Sequence, residues 1–123
     1  YSVNDRQLYL CGHSMGGHGA LWIGSRNARR FAAVASLAGY GTGIYGTAWS
    51  TTVNPELFKD TTLFLYHGDA DTVVPIAESR SMDAKLRELD IPHEYRELAG
   101  VTHNGITAAL DLDLLDTLLR VRR

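Results

Sequence analysis

Three segments carry residue types that could together perform acyl transfer. They are Gly12-His13-Ser14-Met15-Gly16-Gly17, His67-Gly68-Asp69-Ala70-Asp71 and Gly100-Val101-Thr102-His103. A serine hydroxyl is a weak nucleophile until a base takes its proton. That base in turn needs an anion to hold its tautomer and to stabilise its charged form. Ser14, His103 and one of the two aspartates, Asp69 or Asp71, would fill those roles. With 12 glycines in 123 residues, a bare Gly-x-Ser-x-Gly is weak on its own. Its surroundings must supply a strand, a helix and the two partners.

The elements that would position these residues are visible in the hydrophobic pattern. Four short apolar runs, Gln7–Cys11, Ala32–Leu37, Thr62–Tyr66 and His93–Leu98, read as buried strands. Three longer segments with helical spacing lie between and after them: about 15–28, about 75–89 and about 104–119. Alternation of this kind argues for an α/β fold with a parallel sheet and flanking helices. Ser14, the Asp69/Asp71 loop and His103 each follow a strand, so a parallel sheet brings all three to its C-terminal edge. The order Ser, Asp, His goes with a serine held on a strand–turn–helix bend. In the second helix, Ile76, Ser79, Met82, Leu86 and Leu89 mark the inner face. In the third, that face is Ile106, Ala109, Leu110, Leu114, Leu115 and Leu118, with Asp111, Asp113 and Asp116 on a solvated side.

The chain resembles the α/β-hydrolase superfamily from Leu8 to the last helix. Gly12-His13-Ser14-Met15-Gly16-Gly17 is similar to its nucleophile elbow, and His67-Gly68-x-x-Asp71-x-x-Val74-Pro75 to its acid loop. Gly100-x-x-His103 is similar to its histidine loop, and Phe31–Gly39 to the strand after the elbow helix. Within the superfamily the text is closest to carboxylesterases of the dienelactone-hydrolase, polyhydroxybutyrate-depolymerase and feruloyl-esterase kind. The resemblance implies Ser14 as nucleophile, His103 as base and then acid, Asp71 as the orienting acid, and the Met15 N–H as one oxyanion donor. It leaves Asp69 to hold its turn through backbone N–H groups. Small residues at Gly12 and Gly16 would let the elbow helix approach its strand. The implied substrate is a small-molecule carboxylic ester, with thioester or amide open, and no cofactor is implied.

The resemblance further implies strands ahead of the elbow strand, so residues 1–123 read as the C-terminal half of one such domain. The loop giving the second oxyanion N–H would lie in the other half. The Gln7–Cys11 edge is then expected to pair with another copy or a partner chain. A second reading follows, of a silent hydrolase-like binding module that needs a partner to complete its site. Residues 39–60 form a long connection rich in Gly, Thr and aromatics, which reads as a pocket or cap loop. Tyr40, Tyr45, Trp49 and, beside the serine, His13 are its candidate substrate contacts.

Other classes have less support. A net charge of −2 offers no basic excess for nucleic acid. No apolar run approaches the ~20 residues of a membrane span, and compartment stays undetermined. Cys11 is the single cysteine, which excludes an internal disulfide and reads as a small buried strand residue. His18, His67 and His93 read as structural, and no metal-ligand spacing is present. Gly41-Thr42-Gly43-Ile44-Tyr45-Gly46 fits a dinucleotide fingerprint in letters only, because a poor helix start follows it.

Overall fold

The computed structural model describes residues 4–41 and 52–121. Its element order is β1 (Tyr9–His13), α1 (Met15–Arg26), β2 (Ala33–Leu37), β3 (Thr62–Gly68), α2 (Ala77–Glu88), β4 (Glu94–Leu98) and α3 (Gly105–Leu119). Short 3₁₀ turns occupy Asp5–Gln7, Ala28–Arg30 and Pro55–Asp60. The four strands form one parallel sheet in the order β1-β2-β3-β4. This is the expected α/β class.

The strands alternate their apolar residues between two cores, as the period-2 pleat requires. Val34, Leu63 and Leu65 point to a core closed by Ala20, Leu21, Phe58, Met82, Leu86 and Ile91, from the α1, α2 and 3₁₀ side. Ala33, Ala35, Leu37, Phe64 and Tyr66 point to a second core closed by Ile106, Leu110, Leu114 and Leu118 of α3. β2 is buried at all five positions, which explains its unbroken apolar text.

Several readings are corrected. The first strand runs Tyr9–His13 rather than Gln7–Cys11. The Asn4 side chain accepts from the Arg6 N–H and winds Asp5–Gln7 into a turn. At the other end, the Ser14 N–H donates to the Leu37 carbonyl at 2.9 Å and draws the strand on to His13. Cys11 is exposed, not buried, because β1 is the outer strand of the sheet. Leu89 is 40% exposed. The chain reverses at Asp90 (φ 56°), the Ile91 N–H reaches the Leu86 carbonyl at 2.9 Å, and Ile91 fills the core instead. Ala109 and Leu115 also face outward, since α3 buries only a narrow stripe against the sheet.

All four strands run the same way, so their C-terminal ends share one edge. Hydrogen bonds from the loops lock that edge. The Ala38 N–H bonds Tyr66 O at 2.8 Å, the Asp69 N–H bonds Leu98 O at 3.0 Å, and the Ala70 N–H bonds Val101 O at 3.1 Å.

Candidate active site

Ser14 stands between β1 and α1 with φ 60° and ψ −119°. A non-glycine residue in that region costs about 1–3 kcal/mol and persists only where its surroundings impose it. Here β1 is fixed to β2 on one side and α1 starts at once on the other. A Cβ on Gly12 would overlap the Gly16 carbonyl, so the strand can approach the helix this closely only with glycine there. The expectation for Gly16 fails in its detail, because a Cβ at Gly16 would meet nothing within 4 Å. Gly12 needs the Gly16 backbone, not its missing side chain. Ser14 occupies the N-cap position but makes no capping bond, which leaves its hydroxyl for another partner.

That partner is His103, on the loop between β4 and α3. His103 Nε2 lies 2.8 Å from Ser14 Oγ, and Nδ1 lies 2.7 Å from Asp71 Oδ2. The imidazole is nearly buried and the Asp71 side chain wholly so. Four donors converge on Asp71. The Val73 and Val74 N–H groups each donate to Oδ1 at 2.8 Å, while His103 and His67 donate to Oδ2. Burial works to raise the Asp71 pKa, but the bonds from His103, Val74 and Val73 outweigh it and hold the carboxyl below its ordinary value. The carboxylate is therefore ionised at neutral pH, as a partner for an imidazolium must be.

Asp69 takes the other part. Its Oδ1 accepts the Gly100 N–H at 2.7 Å, tying the β3 loop to the β4 loop at the point where Gly100 turns with φ 71°. It makes this bond across two loops rather than within its own turn. His13 is half-buried, with its ring 4.8 Å from that of His103, and its Nε2–H donates to the His103 carbonyl at 2.7 Å. It thus braces the histidine loop. Met15 is the first residue of α1, so its N–H has no intrahelical acceptor.

Tyr40 is buried and stacked on His18, with centroids 4.7 Å apart and planes within 8°. His18 Nδ1–H donates to the Tyr40 carbonyl at 2.6 Å. Tyr45, Trp49 and most of the Gly41–Gly46 fingerprint lie outside the described residues. His93 is structural, bridging Asp83 and the Ile91 carbonyl. No cluster of metal-ligating side chains occurs among the described residues, and no helix among them is long and apolar enough to cross a membrane. One residue was undervalued in the sequence. His67 reads there as structural, yet its Nε2 reaches Asp71. The spacing His67 to Asp71 across the tight turn at Asp69 and Ala70 was the available signal.

Comparison with known proteins bears on the family and the fold. Residues 1–99 match the model of the Esterase family, described as "Putative esterase", and the chain belongs to that family. Among solved structures, a thermostable esterase superposes with a TM-score of 0.81 at 24% identity, covering 100% of this chain and 33% of that one. A CE1 ferulic acid esterase from Anaeromyces mucronatus, solved with ferulic acid, gives 0.76 at 20%, covering 98% and 47%. FphF, a fluorophosphonate-binding serine hydrolase of Staphylococcus aureus, gives 0.76 at 14%, covering 96% and 57%. These likenesses establish the α/β-hydrolase fold. The chain spans a third to somewhat over half the length of these structures. No curated protein matches it.

Proposed function

We propose that this chain carries the catalytic residues of a serine hydrolase acting on carboxylic esters through an acyl-enzyme. The observation that carries the reading is the continuous relay Ser14 Oγ, His103 Nε2, His103 Nδ1 and Asp71 Oδ2, with links of 2.8 and 2.7 Å. Both lie within the reach that proton transfer requires.

In this reading Ser14 Oγ attacks the acyl carbon as its proton passes to His103 Nε2. The imidazolium so formed is stabilised by the ionised Asp71, and the carbonyl oxygen turns its new charge toward the Met15 N–H. His103 then returns the proton to the leaving alcohol as the C–O bond breaks. Water, deprotonated by the same imidazole, hydrolyses the ester of Ser14 and restores the free hydroxyl. A second oxyanion donor is expected from residues next to the edge of β1 that no strand covers among the described residues, beside Ser14. Removal of one such donor costs about 10²–10³ in rate, so a chain working with Met15 alone is expected to be slow. Residues paired to that edge, from a second copy or a partner chain, would restore the rate. Sedimentation at tens of micromolar tests this, and a strictly monomeric mass contradicts pairing by this chain alone.

The experiment for the whole reading is turnover of short-chain and aryl p-nitrophenyl esters by the chain and by its Ser14→Ala and His103→Ala variants. Loss of turnover in both variants is expected. Turnover that survives Ser14→Ala would belong to other chemistry.

A further inference from the structure

Beyond Ser14, His103 and Asp71, the relay continues inward. His67 is wholly buried at the C-terminal end of β3. Its Nε2 faces two acceptors, the Val74 carbonyl at 2.9 Å and Asp71 Oδ2 at 3.1 Å, and its Nδ1 lies 2.6 Å from Ser79 Oγ on α2. Neither a carbonyl nor an ionised carboxylate can donate, so Nε2 must carry a proton. The Ser79 hydroxyl can donate to Nδ1, so the geometry is that of a ring with its proton on Nε2. The charged groups around it are Asp71 on its own loop and Glu97, its register partner on β4. Glu97 is already engaged by Arg80 of α2, at 2.6 and 3.1 Å.

We infer that His67 is a positioning residue for the proposed hydrolase site, a neutral imidazole locked by Ser79 as the Nε2–H tautomer that shares Asp71 Oδ2 with His103. The inference rests on the function proposed above. Two consequences follow. The His67 N–H holds Oδ2 on the side where His103 meets it, since the backbone donors act only on Oδ1. It also shares the oxygen that would support the His103 imidazolium during the reaction. Ser79, whose hydroxyl meets His67 Nδ1, acts through the tautomer alone.

The test compares His67→Leu, similar in bulk but without a donor, with His67→Gln. The glutamine amide can offer N–H groups to Asp71 and Val74 and an oxygen to Ser79. The readout is the pH profile of the rate at which a fluorophosphonate labels Ser14. A neutral hydrogen bond contributes on the order of one pH unit or less to such a balance. His67→Leu should therefore move the acid limb upward by about half a unit to one unit and lower the plateau rate, while His67→Gln should return both toward wild type. An unmoved profile in a folded His67→Leu chain would overturn the inference. Should His67→Leu fail to fold, nitrogen-15 NMR of the unaltered chain decides. A His67 ring protonated at Nε2 alone supports it, and a ring protonated at Nδ1, alone or with Nε2, overturns it. Loss of labelling in Ser14→Ala separates the two levels. If wild-type label sits elsewhere than Ser14, the hydrolase reading fails, and the tautomer still decides whether His67 is the donor described.

Discussion

Replacing Asp71 by Asn tests the relay at its least exposed member. Oδ1 accepts two backbone N–H groups, from Val73 and Val74, both at 2.8 Å. These donors cannot reorient, so the asparagine carbonyl must remain at that position and its NH₂ must take the place of Oδ2. There it meets two donors, the Nδ1–H of His103 at 2.7 Å and the Nε2–H of His67 at 3.1 Å. The cheapest escape is for His103 to shift its proton to Nε2, so that Nδ1 accepts from the amide. An Nε2 that already bears a proton cannot take the one on Ser14 Oγ. In the general Ser-His-Asp template the corresponding change lowers kcat by about 10⁴, or about 5 kcal/mol of barrier. A loss of this order is expected for ester turnover and for the fluorophosphonate labelling rate alike. Asp69→Asn is the control, because an amide oxygen still accepts the Gly100 N–H, and its rate should stay within about threefold of wild type. If Asp71→Asn lost less than tenfold, or Asp69→Asn lost more than Asp71→Asn, the assignment of the acid would be wrong.

Further outcomes follow from the same geometry. Gly12→Ala places a methyl into the Gly16 carbonyl and should destabilise by about 1–3 kcal/mol or more in urea unfolding. Gly16→Ala meets open space and should be neutral or stabilising by about 0.5–1 kcal/mol, the helix gain over glycine. The native Asp71 pKa lies below its ordinary value, so the folded state binds this proton less readily than the unfolded chain. Its stabilising contribution is complete above the unfolded value of about 3.9 and is lost as pH falls through the native one. Acid unfolding of Asp71→Asn should therefore be shallower than that of wild type over this range. Phe58, wholly buried in the core beneath α1 and α2, should cost about 3–5 kcal/mol when cut to Ala.

β2 and β3 were legible because each is a short apolar run followed by Gly, and α2 and α3 show their stripes. β4 carries Glu94, Arg96 and Glu97 and, against the expectation of a buried strand, buries none of its five residues, as is also true of β1. Ser14, Asp71 and His103 could be nominated for a related reason. A parallel sheet gathers whatever follows its strands, so position in the chain translates directly into position in space. Finer distinctions need three dimensions. Spacing alone does not separate Asp69 from Asp71, two residues apart on one loop, since only the paths of the β3 and β4 loops decide which carboxylate reaches His103. Cys11 looked buried because its run is apolar, but exposure depends on whether another strand lies beside β1. Leu89 and Leu115 fit the helical period, yet a period does not say how wide a stripe the sheet will cover. The part played by His67 depends on which side of β3 its ring leaves and on a serine twelve residues away on α2, neither of which a motif contains.

The central claim is that Ser14 is an activated nucleophile, and covalent labelling tests it most directly. The purified chain would be treated with a fluorophosphonate and its peptides mapped by mass, alongside Ser14→Ala. A single adduct on the peptide that holds Ser14, absent from Ser14→Ala and much slowed in Asp71→Asn, is the predicted result. A folded chain that takes up no label, or takes it up equally in Ser14→Ala, would contradict the account.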